Sequence, residues 1–163
     1  MHNVWIAFGS NQEDPVAQVI LARQTLADYL TESGVSYLYR TTPWGYHEQP
    51  DFINAVIRYY TRLEPLKILH LLQNIENQRG RKRTFKNAPR TLDLDILCYD
   101  NLKLSLPELT LPHPSIKERA FVLQPLADIN PELSIDGEAV LTLLKKCGNG
   151  DIIRITNHGW QTA

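Results

Sequence analysis

The stretch Arg90-Thr91-Leu92-Asp93-Leu94-Asp95-Ile96-Leu97 alternates apolar and polar residues with the two-residue period of a β-strand. Its apolar side chains then lie on one face, and Asp93 and Asp95 lie on the other with Cα atoms roughly 7 Å apart. Two carboxylates side by side repel each other, and each costs free energy if it is buried without a partner. The pattern therefore predicts a strand whose polar face meets a cation, a proton or a basic group.

The segment that precedes this strand is basic and has the composition of a loop. From Arg79 to Arg90 it contains six basic residues and no acidic one, together with a glycine and a proline. Basic side chains beside two carboxylates suit a polyphosphate held through Mg²⁺, a cation that prefers oxygen ligands and often completes its shell with phosphates. A solvated charge run, or an ion pair between Arg90 and the aspartates, is the alternative that the residues leave open.

Strands and helices follow one another along the chain in the order β-α-β-β-α-β. Asp14-Pro15 starts a predicted helix that runs to about Thr31, and Glu64-Pro65 starts a second one. Beside the aspartate strand, the predicted strands are Val4 to Phe8, Val35 to Arg40, Phe52 to Tyr60 and Asp151 to Thr156, and further helices are predicted at Arg119 to Leu126 and Glu138 to Lys146. This order predicts an α+β fold with a ferredoxin-like βαββαβ core, a mainly antiparallel sheet with helices packed on it in three α/β/α layers.

The composition is that of an ordinary globular domain. The chain has 163 residues and a formal net charge of -1, which favours neither nucleic acid nor a membrane as a partner. Two cysteines, Cys98 and Cys147, are too few for a disulfide framework. The first residues lack the basic and apolar regions of a signal peptide, and no apolar run approaches the roughly 20 residues that span a bilayer. We therefore expect one soluble, cytoplasmic domain over residues 1–163.

Three further patterns contain residues that suit a nucleotide or a flat heterocycle. Gln73 and Glu76 lie three apart on the second helix and share a face, where they suit a base or a ribose. His113 lies between two prolines and suits a phosphate as a hydrogen-bond donor. Phe52 and Asn54 share a strand face, where a ring can stack and an amide can read a hydrogen-bonding edge. Solvent exposure or core packing is the alternative for each pattern, and the sequence has no P-loop and no Gly-x-Gly-x-x-Gly after a strand.

The order of several short motifs resembles a known family. The motifs are Gly9-Ser10-Asn11, Gln49-Pro50-Asp51-Phe52-x-Asn54, Gly80-Arg81, Pro89 to Ile96, Pro112-His113 and Arg119-x-Phe121. From about Val4 to Leu133 the chain resembles the hydroxymethyl-dihydropterin pyrophosphokinases of folate biosynthesis. The resemblance implies transfer of pyrophosphate from ATP to the hydroxymethyl group of 6-hydroxymethyl-7,8-dihydropterin, giving AMP and the pterin diphosphate.

The resemblance also implies a role for each matching residue. Asp93 and Asp95 would bind two Mg²⁺, and Arg81 and Arg90 would take part in catalysis with them. The residues implied for ATP, the co-substrate, are Gln73, Glu76, Arg81, Arg83, Arg90, Thr110, His113 and Arg119. The residues implied for the pterin are Thr41, Thr42, Pro43, Trp44, Phe52, Asn54, Asp93 and Phe121. The expected partners are these small molecules, with no nucleic acid and no membrane, and the expected state is a monomer.

Two other functions stay open at this point. Lys86-Asn87-Ala88 and Glu108 differ from residues that are common in that family, which is compatible with a non-catalytic relative that binds pterin or nucleotide. An RNA-binding module also uses a βαββαβ sheet, but it has an aromatic-rich strand motif that is absent from this sequence.

Overall fold

The computed structural model describes residues 1–41, 50–79, 92–148 and 152–160, and its elements follow the predicted βαββαβ order. The core elements are β1 His2–Ser10, α1 Pro15–Leu26, β2 Thr31–Val35, β3 Leu38–Thr41, β4 Phe52–Thr61, α2 Pro65–Gln78 and β5 Asp93–Tyr99. The elements after them are β6 Leu104–Ser105, β7 Thr110–Leu111, a 3-10 helix Ile116–Glu118, α3 Ala120–Ile129, β8 Ser134–Ile135, β9 Glu138–Ala139, α4 Val140–Cys147 and β10 Ile152–Ile155.

Antiparallel pairing builds the central sheet in the order β10-β3-β4-β1-β5, and β2 also pairs with β4. The strand β1 lies between β4 and β5 and is hydrogen-bonded on both sides, whereas β5 and β10 are the two ends of this order. Short two-stranded sheets join β6 to β7 and β8 to β9. The strand order is that of a ferredoxin-like sheet, so the predicted α+β class is confirmed.

Helices cover both faces of the sheet and produce the predicted three layers. The helices α1 and α2 pack on one face, where Val19 and Leu72 join the strand residue Leu94 in one apolar core. The helices α3 and α4 pack on the other face, where Val122 and Leu143 share a second core with the β5 residue Leu97. Among the described residues, no helix is long and apolar enough to cross a membrane.

The first helix starts where the sequence predicts and ends earlier. Asp14 caps it through the amide of Ala17, and Pro15 occupies its first position. The helix ends at Leu26 instead of near Thr31, and residues 27–30 form a turn in which the amides of Tyr29 and Leu30 both donate to the Leu26 carbonyl. This turn leads directly into β2.

The strand predicted over Val35 to Arg40 covers the end of β2 and most of β3, two strands that Ser36 and Tyr37 separate. The hydroxyl of Ser36 accepts a hydrogen bond from the amide of Val56 at 2.9 Å, and its own amide donates to the Val56 carbonyl at 3.0 Å. A side chain thus replaces one backbone bond of the ladder, and the strand is interrupted there. Farther along, the helix predicted from Glu138 begins at Val140, because Glu138–Ala139 pairs with β8.

Candidate active site

A cleft opens on the α3 face of the sheet, and its floor consists of small residues. Gly9 of β1 pairs with Asn54 of β4 on one side and with Asp93 of β5 on the other. Two residues earlier, Ala7 pairs with Asp95. Opposed residues of antiparallel strands share a face, so amide and carboxylates project into one cleft across the glycine. Although β1 is an inner strand, Gly9 and Ala7 are partly exposed, because the cleft lies above them.

The aspartate strand has the alternation that the sequence predicts. Leu92, Leu94 and Ile96 are at most 4% exposed and belong to the core under α1 and α2. Asp93 and Asp95 are partly exposed and line the cleft on the opposite face. The apolar residues therefore hold β5 in place and direct both carboxylates into the cleft.

The amide of Asn54 has a defined orientation at the cleft floor. Its Nδ2 donates to Oγ1 of Thr41 at 2.9 Å, and both residues are buried. Its Oδ1 faces the Gly9 side, since a Cβ placed on Gly9 would lie 3.2 Å from that oxygen. Thr41 therefore leaves Asn54 with an acceptor oxygen directed toward the cleft.

The ring of His113 is held in one tautomer beside the aspartates. Its backbone amide donates to the carbonyl of Leu97 at 2.8 Å, which joins the loop to β5. The amide of Ser115 donates to Nδ1 at 3.1 Å, so Nδ1 is an acceptor and the proton of the neutral ring is on Nε2. Burial lowers the pKa of His113 and Arg119 lowers it further, whereas Asp93 opposes them. The cleft thus contains a neutral imidazole with one N–H donor.

A cation and an aromatic ring form the wall above the sheet. Arg119 precedes α3, and its guanidinium carbon lies 5.7 Å from the centroid of the Phe121 ring in the first turn. With the sheet floor, this wall bounds the cleft, whose roughly 440 Å³ of empty space includes open solvent. The cleft therefore joins a fixed positive charge, a ring, an amide acceptor and two carboxylates.

A sequence profile described as "7,8-dihydro-6-hydroxymethylpterin-pyrophosphokinase (HPPK)" matches residues 5–131, which is most of the chain. The chain belongs to the HPPK family. This membership agrees with the resemblance carried by the glycine, aspartate and histidine motifs.

Individual members of the HPPK family match nearly the whole chain. The 2-amino-4-hydroxy-6-hydroxymethyldihydropteridine pyrophosphokinase of Pseudomonas aeruginosa is 42% identical over 151 residues, covering 90% of this chain and 93% of that protein. The protein of the same name from Haemophilus influenzae is 40% identical over 148 residues, covering 90% and 92%. The crystal structure of wild-type Plasmodium falciparum HPPK-DHPS with pteroate has a TM-score of 0.73 at 15% identity over 89% of this chain. Our chain spans 42% of that longer protein, and this likeness shows a shared fold.

Six of the site residues predicted for this HPPK chain line the cleft. They are Asn54, Asp93, Asp95, His113, Arg119 and Phe121. Thr41 lies behind Asn54, and Phe52 pairs with Thr41 at the start of β4, on the same face as Asn54 but outside the cleft lining formed by the described residues.

The other predicted residues lie elsewhere or outside the described part of the chain. Thr110 is exposed on β7, where it pairs with Ser105. Gln73 and Glu76 lie on α2, which packs on the sheet face opposite the cleft; Gln73 is half-buried and Glu76 is buried. The predicted residues outside the described ranges are Thr42, Pro43, Trp44, Arg81, Arg83 and Arg90.

Sequence reasoning missed the residues that make room for a ligand. It assigned no site role to Ala7 and Gly9, although they form the floor, nor to Ile116 and Val122 on the opposite wall. The available signal was two small residues at strand spacing in a strand that otherwise buries bulky apolar residues. Such residues act by their size, so a search for chemically reactive groups passes over them.

Proposed function

We propose that this chain transfers pyrophosphate from ATP to the hydroxymethyl group of 6-hydroxymethyl-7,8-dihydropterin in folate biosynthesis. The observation that carries the proposal is the row Asn54–Gly9–Asp93 across three adjacent strands. Two strand spacings separate the amide from the carboxylate by roughly 10 Å of backbone. This span suits a bicyclic ring that is read by Asn54 at one end and presents its hydroxymethyl group near Asp93 at the other.

The pterin side of the cleft supplies shape and a hydrogen-bond acceptor. The Asn54 Oδ1 atom would accept an N–H of the pterin, and the Phe121 ring would stack on its face. Phe52, Thr41, Thr42, Pro43 and Trp44 are proposed to complete this subsite. Stacking and the hydrogen bond to one fixed amide would orient the reacting hydroxyl group. Such positioning lowers the barrier, because the reacting groups no longer have to find each other in solution.

The phosphate side supplies donors and positive charge. The Nε2 proton of His113 and the guanidinium of Arg119 would bind phosphate oxygens of ATP. The residues proposed to bind ATP with them are Gln73, Arg81, Arg83, Arg90 and Thr110, with Arg81 and Arg90 also acting in catalysis. In the reaction the pterin hydroxyl oxygen bonds to the β-phosphorus of ATP and releases its proton to water, the bond between that phosphorus and the α,β-bridging oxygen breaks, and AMP leaves with the bridging oxygen.

Two Mg²⁺ are proposed to bind at Asp93 and Asp95, and the donor set fits this ion. Carboxylate oxygens are hard ligands, and Mg²⁺ commonly takes one or two carboxylates together with waters and substrate phosphates. Within the described residues there is no group of three or more His, Cys, Asp and Glu side chains that could hold a metal, so phosphate and water would supply the remaining ligands. Mg²⁺ held there would neutralise charge on the phosphate oxygens.

The test is formation of AMP together with the pterin diphosphate. Purified protein is incubated with ATP, MgCl₂ and 6-hydroxymethyl-7,8-dihydropterin, and ³¹P NMR follows both products, with parallel reactions that omit the pterin or add excess EDTA. We expect equal amounts of AMP and pterin diphosphate in the complete reaction and neither product in the controls. Tight binding of ATP and pterin without products would refute the proposal and establish the non-catalytic alternative. The single domain over residues 1–163, the monomeric state and the cytoplasmic location stay predictions.

A further inference from the structure

One acidic side chain outside the cleft is buried against the aspartate strand. Glu76 of α2 is 3% exposed, and its Oε2 accepts a hydrogen bond from the backbone amide of Leu94 at 2.8 Å. Burying a carboxylate is expensive unless hydrogen bonds replace its lost hydration. The bond to Leu94 has an ionised acceptor and joins α2 to β5, and Leu94 is the residue between Asp93 and Asp95.

The position of β5 in the sheet explains why this bond matters. Among the strands of residues 1–41, 50–79, 92–148 and 152–160, β5 pairs with β1 alone, so these ranges place no strand at its outer side. In an antiparallel pair, successive residues direct their amides alternately toward the partner strand and away from it. Leu94 gives its amide proton to Glu76 instead of to β1, so α2 takes the place of a partner strand at the residue between the two carboxylates.

We propose that Glu76 is a positioning residue for the cation-binding carboxylates, acting through the Leu94 amide. The bond fixes the extended backbone at Leu94, and that backbone sets the spacing and direction of Asp93 and Asp95. Glu76 is buried and bonded to a backbone amide of β5, so this role differs from the ATP contact that the family resemblance implies for it. The inference rests on the proposed function only in taking Asp93 and Asp95 as cation ligands.

The test compares three substitutions that separate hydrogen bonding from charge. Glu76→Gln keeps an oxygen acceptor at the same reach but loses the charge, Glu76→Asp keeps the charge but shortens the reach by one methylene, and Glu76→Ala removes both. Glu64→Gln, at an exposed position that starts the same helix, is the matched control. Circular dichroism first shows which variants are folded at the temperature used.

Two equilibrium measurements on the folded variants give the answer. The first is Mn²⁺ binding with α,β-methylene-ATP present, followed by electron paramagnetic resonance; the second is AMP binding without metal, followed by calorimetry. We expect Glu76→Ala to weaken Mn²⁺ binding about tenfold or more, with Glu76→Asp between it and wild type. Glu76→Gln should stay within about threefold of wild type, because it retains the acceptor. The AMP affinity of every variant should stay within about twofold of wild type.

Other outcomes overturn the inference. A fall in AMP affinity in Glu76→Ala equal to the fall in Mn²⁺ affinity would make Glu76 a direct nucleotide contact. If Glu76→Asp binds Mn²⁺ better than Glu76→Gln, charge and not the hydrogen bond is what matters; this comparison decides the question even if Glu76→Ala fails to fold. Neither measurement needs turnover, so a wild type that forms no AMP refutes the proposed function alone. A wild type that binds no Mn²⁺ refutes the metal site itself.

Discussion

Two charged clusters in this molecule arrange their charges in different ways. In the first, Arg23 and Glu32 form a two-point ion pair, with Nε to Oε2 at 2.8 Å and Nη2 to Oε1 at 2.9 Å. The Arg23 guanidinium also donates to the carbonyl of Trp160, and its carbon lies 4.7 Å from the centroid of that ring. Opposite charges meet inside this cluster, and the fully buried Trp160 fills the core beside it.

The cleft is arranged differently, because two carboxylates lie side by side in its lining, which also contains Arg119. Asp93 and Asp95 share the polar face of β5, and the ring of His113 is kept neutral above them. Like charges on one face oppose folding unless a cation joins them. The comparison indicates that the Arg23 cluster stabilises the fold, whereas the charged groups of the cleft line a space that a ligand can enter. Substitutions in the two clusters should therefore have separable effects.

The largest effect is expected from removing one carboxylate of the cleft. Asp95→Asn should lower kcat by several orders of magnitude, because it removes a proposed ligand of Mg²⁺. The melting temperature should change little, because Asp95 is partly exposed and belongs to neither apolar core. Steady-state kinetics and circular dichroism measure the two quantities, and Asp28→Asn on the exposed surface is the control. A rate within tenfold of wild type would exclude the metal role of Asp95.

The second prediction breaks the Arg23 cluster. Glu32→Ala leaves the buried Arg23 guanidinium without its carboxylate, so the free energy of unfolding should fall by about 2–4 kcal/mol, measured by urea denaturation. The kcat/KM of the folded protein should change less than twofold, because the cluster is separate from the cleft lining. Glu132→Ala, an exposed site, should leave stability within about 0.5 kcal/mol of wild type. A fall in kcat/KM of more than twofold, measured on folded Glu32→Ala, would contradict the inference that the Arg23 cluster acts on stability alone.

The third prediction compares a glycine-to-alanine substitution at two places in the sheet, Gly9 in the cleft floor and Gly34 on β2. Gly9→Ala places a Cβ 3.2 Å from Oδ1 of Asn54, so we expect the KM for the pterin to rise roughly tenfold as one hydrogen bond worth about 1–2 kcal/mol is displaced. Gly34→Ala on β2 places a Cβ 2.7 Å from a methyl group of Ile129, which should lower stability by about 1–3 kcal/mol without changing that KM. An unchanged pterin KM in Gly9→Ala would show that Asn54 can shift freely.

The parts of the cleft that could be predicted are those with a local chemical pattern. Asp93 and Asp95 were predictable because strand periodicity alone decides which face each residue occupies, and the neighbouring leucines decide which face is buried. His113, Arg119 and Phe121 were found through motifs, and the structure adds the hydrogen bond from Ser115 that selects the tautomer. The sheet class followed from the order of the elements, since short connections and antiparallel pairing leave few arrangements.

Features that depend on long-range packing could not be predicted. The bond between Glu76 and Leu94 requires knowing which strand lies on which helix, and helical spacing alone left Glu76 on the same face as the less buried Gln73. Trp160 lies beyond the family match and yet is fully buried. Its indole N–H donates at 2.8 Å to the carbonyl of Ser36, a residue far away in the sequence. That same Ser36 interrupts the strand that periodicity predicted as continuous.

The smallest expected effect concerns the neutral His113 and the pH dependence of stability. Because burial lowers its pKa below the ordinary value of 6.5, the unfolded chain binds a proton more readily than the folded one. The stability associated with this neutral ring is fully present above pH 6.5 and is lost as the pH falls through the pKa of the folded state.

His113→Asn sharpens the comparison because its Oδ1 can accept from the Ser115 amide without titrating. Urea denaturation at about pH 7.5 and about pH 5 gives the loss of stability on acidification, and this loss should be smaller in His113→Asn than in wild type. His158→Asn removes an exposed imidazole and should behave as wild type does. Equal losses in wild type and His113→Asn would mean that the ring is not held neutral by the fold. A smaller loss in His113→Asn would show that the cleft, unlike the Arg23 cluster, maintains a group whose protonation opposes folding.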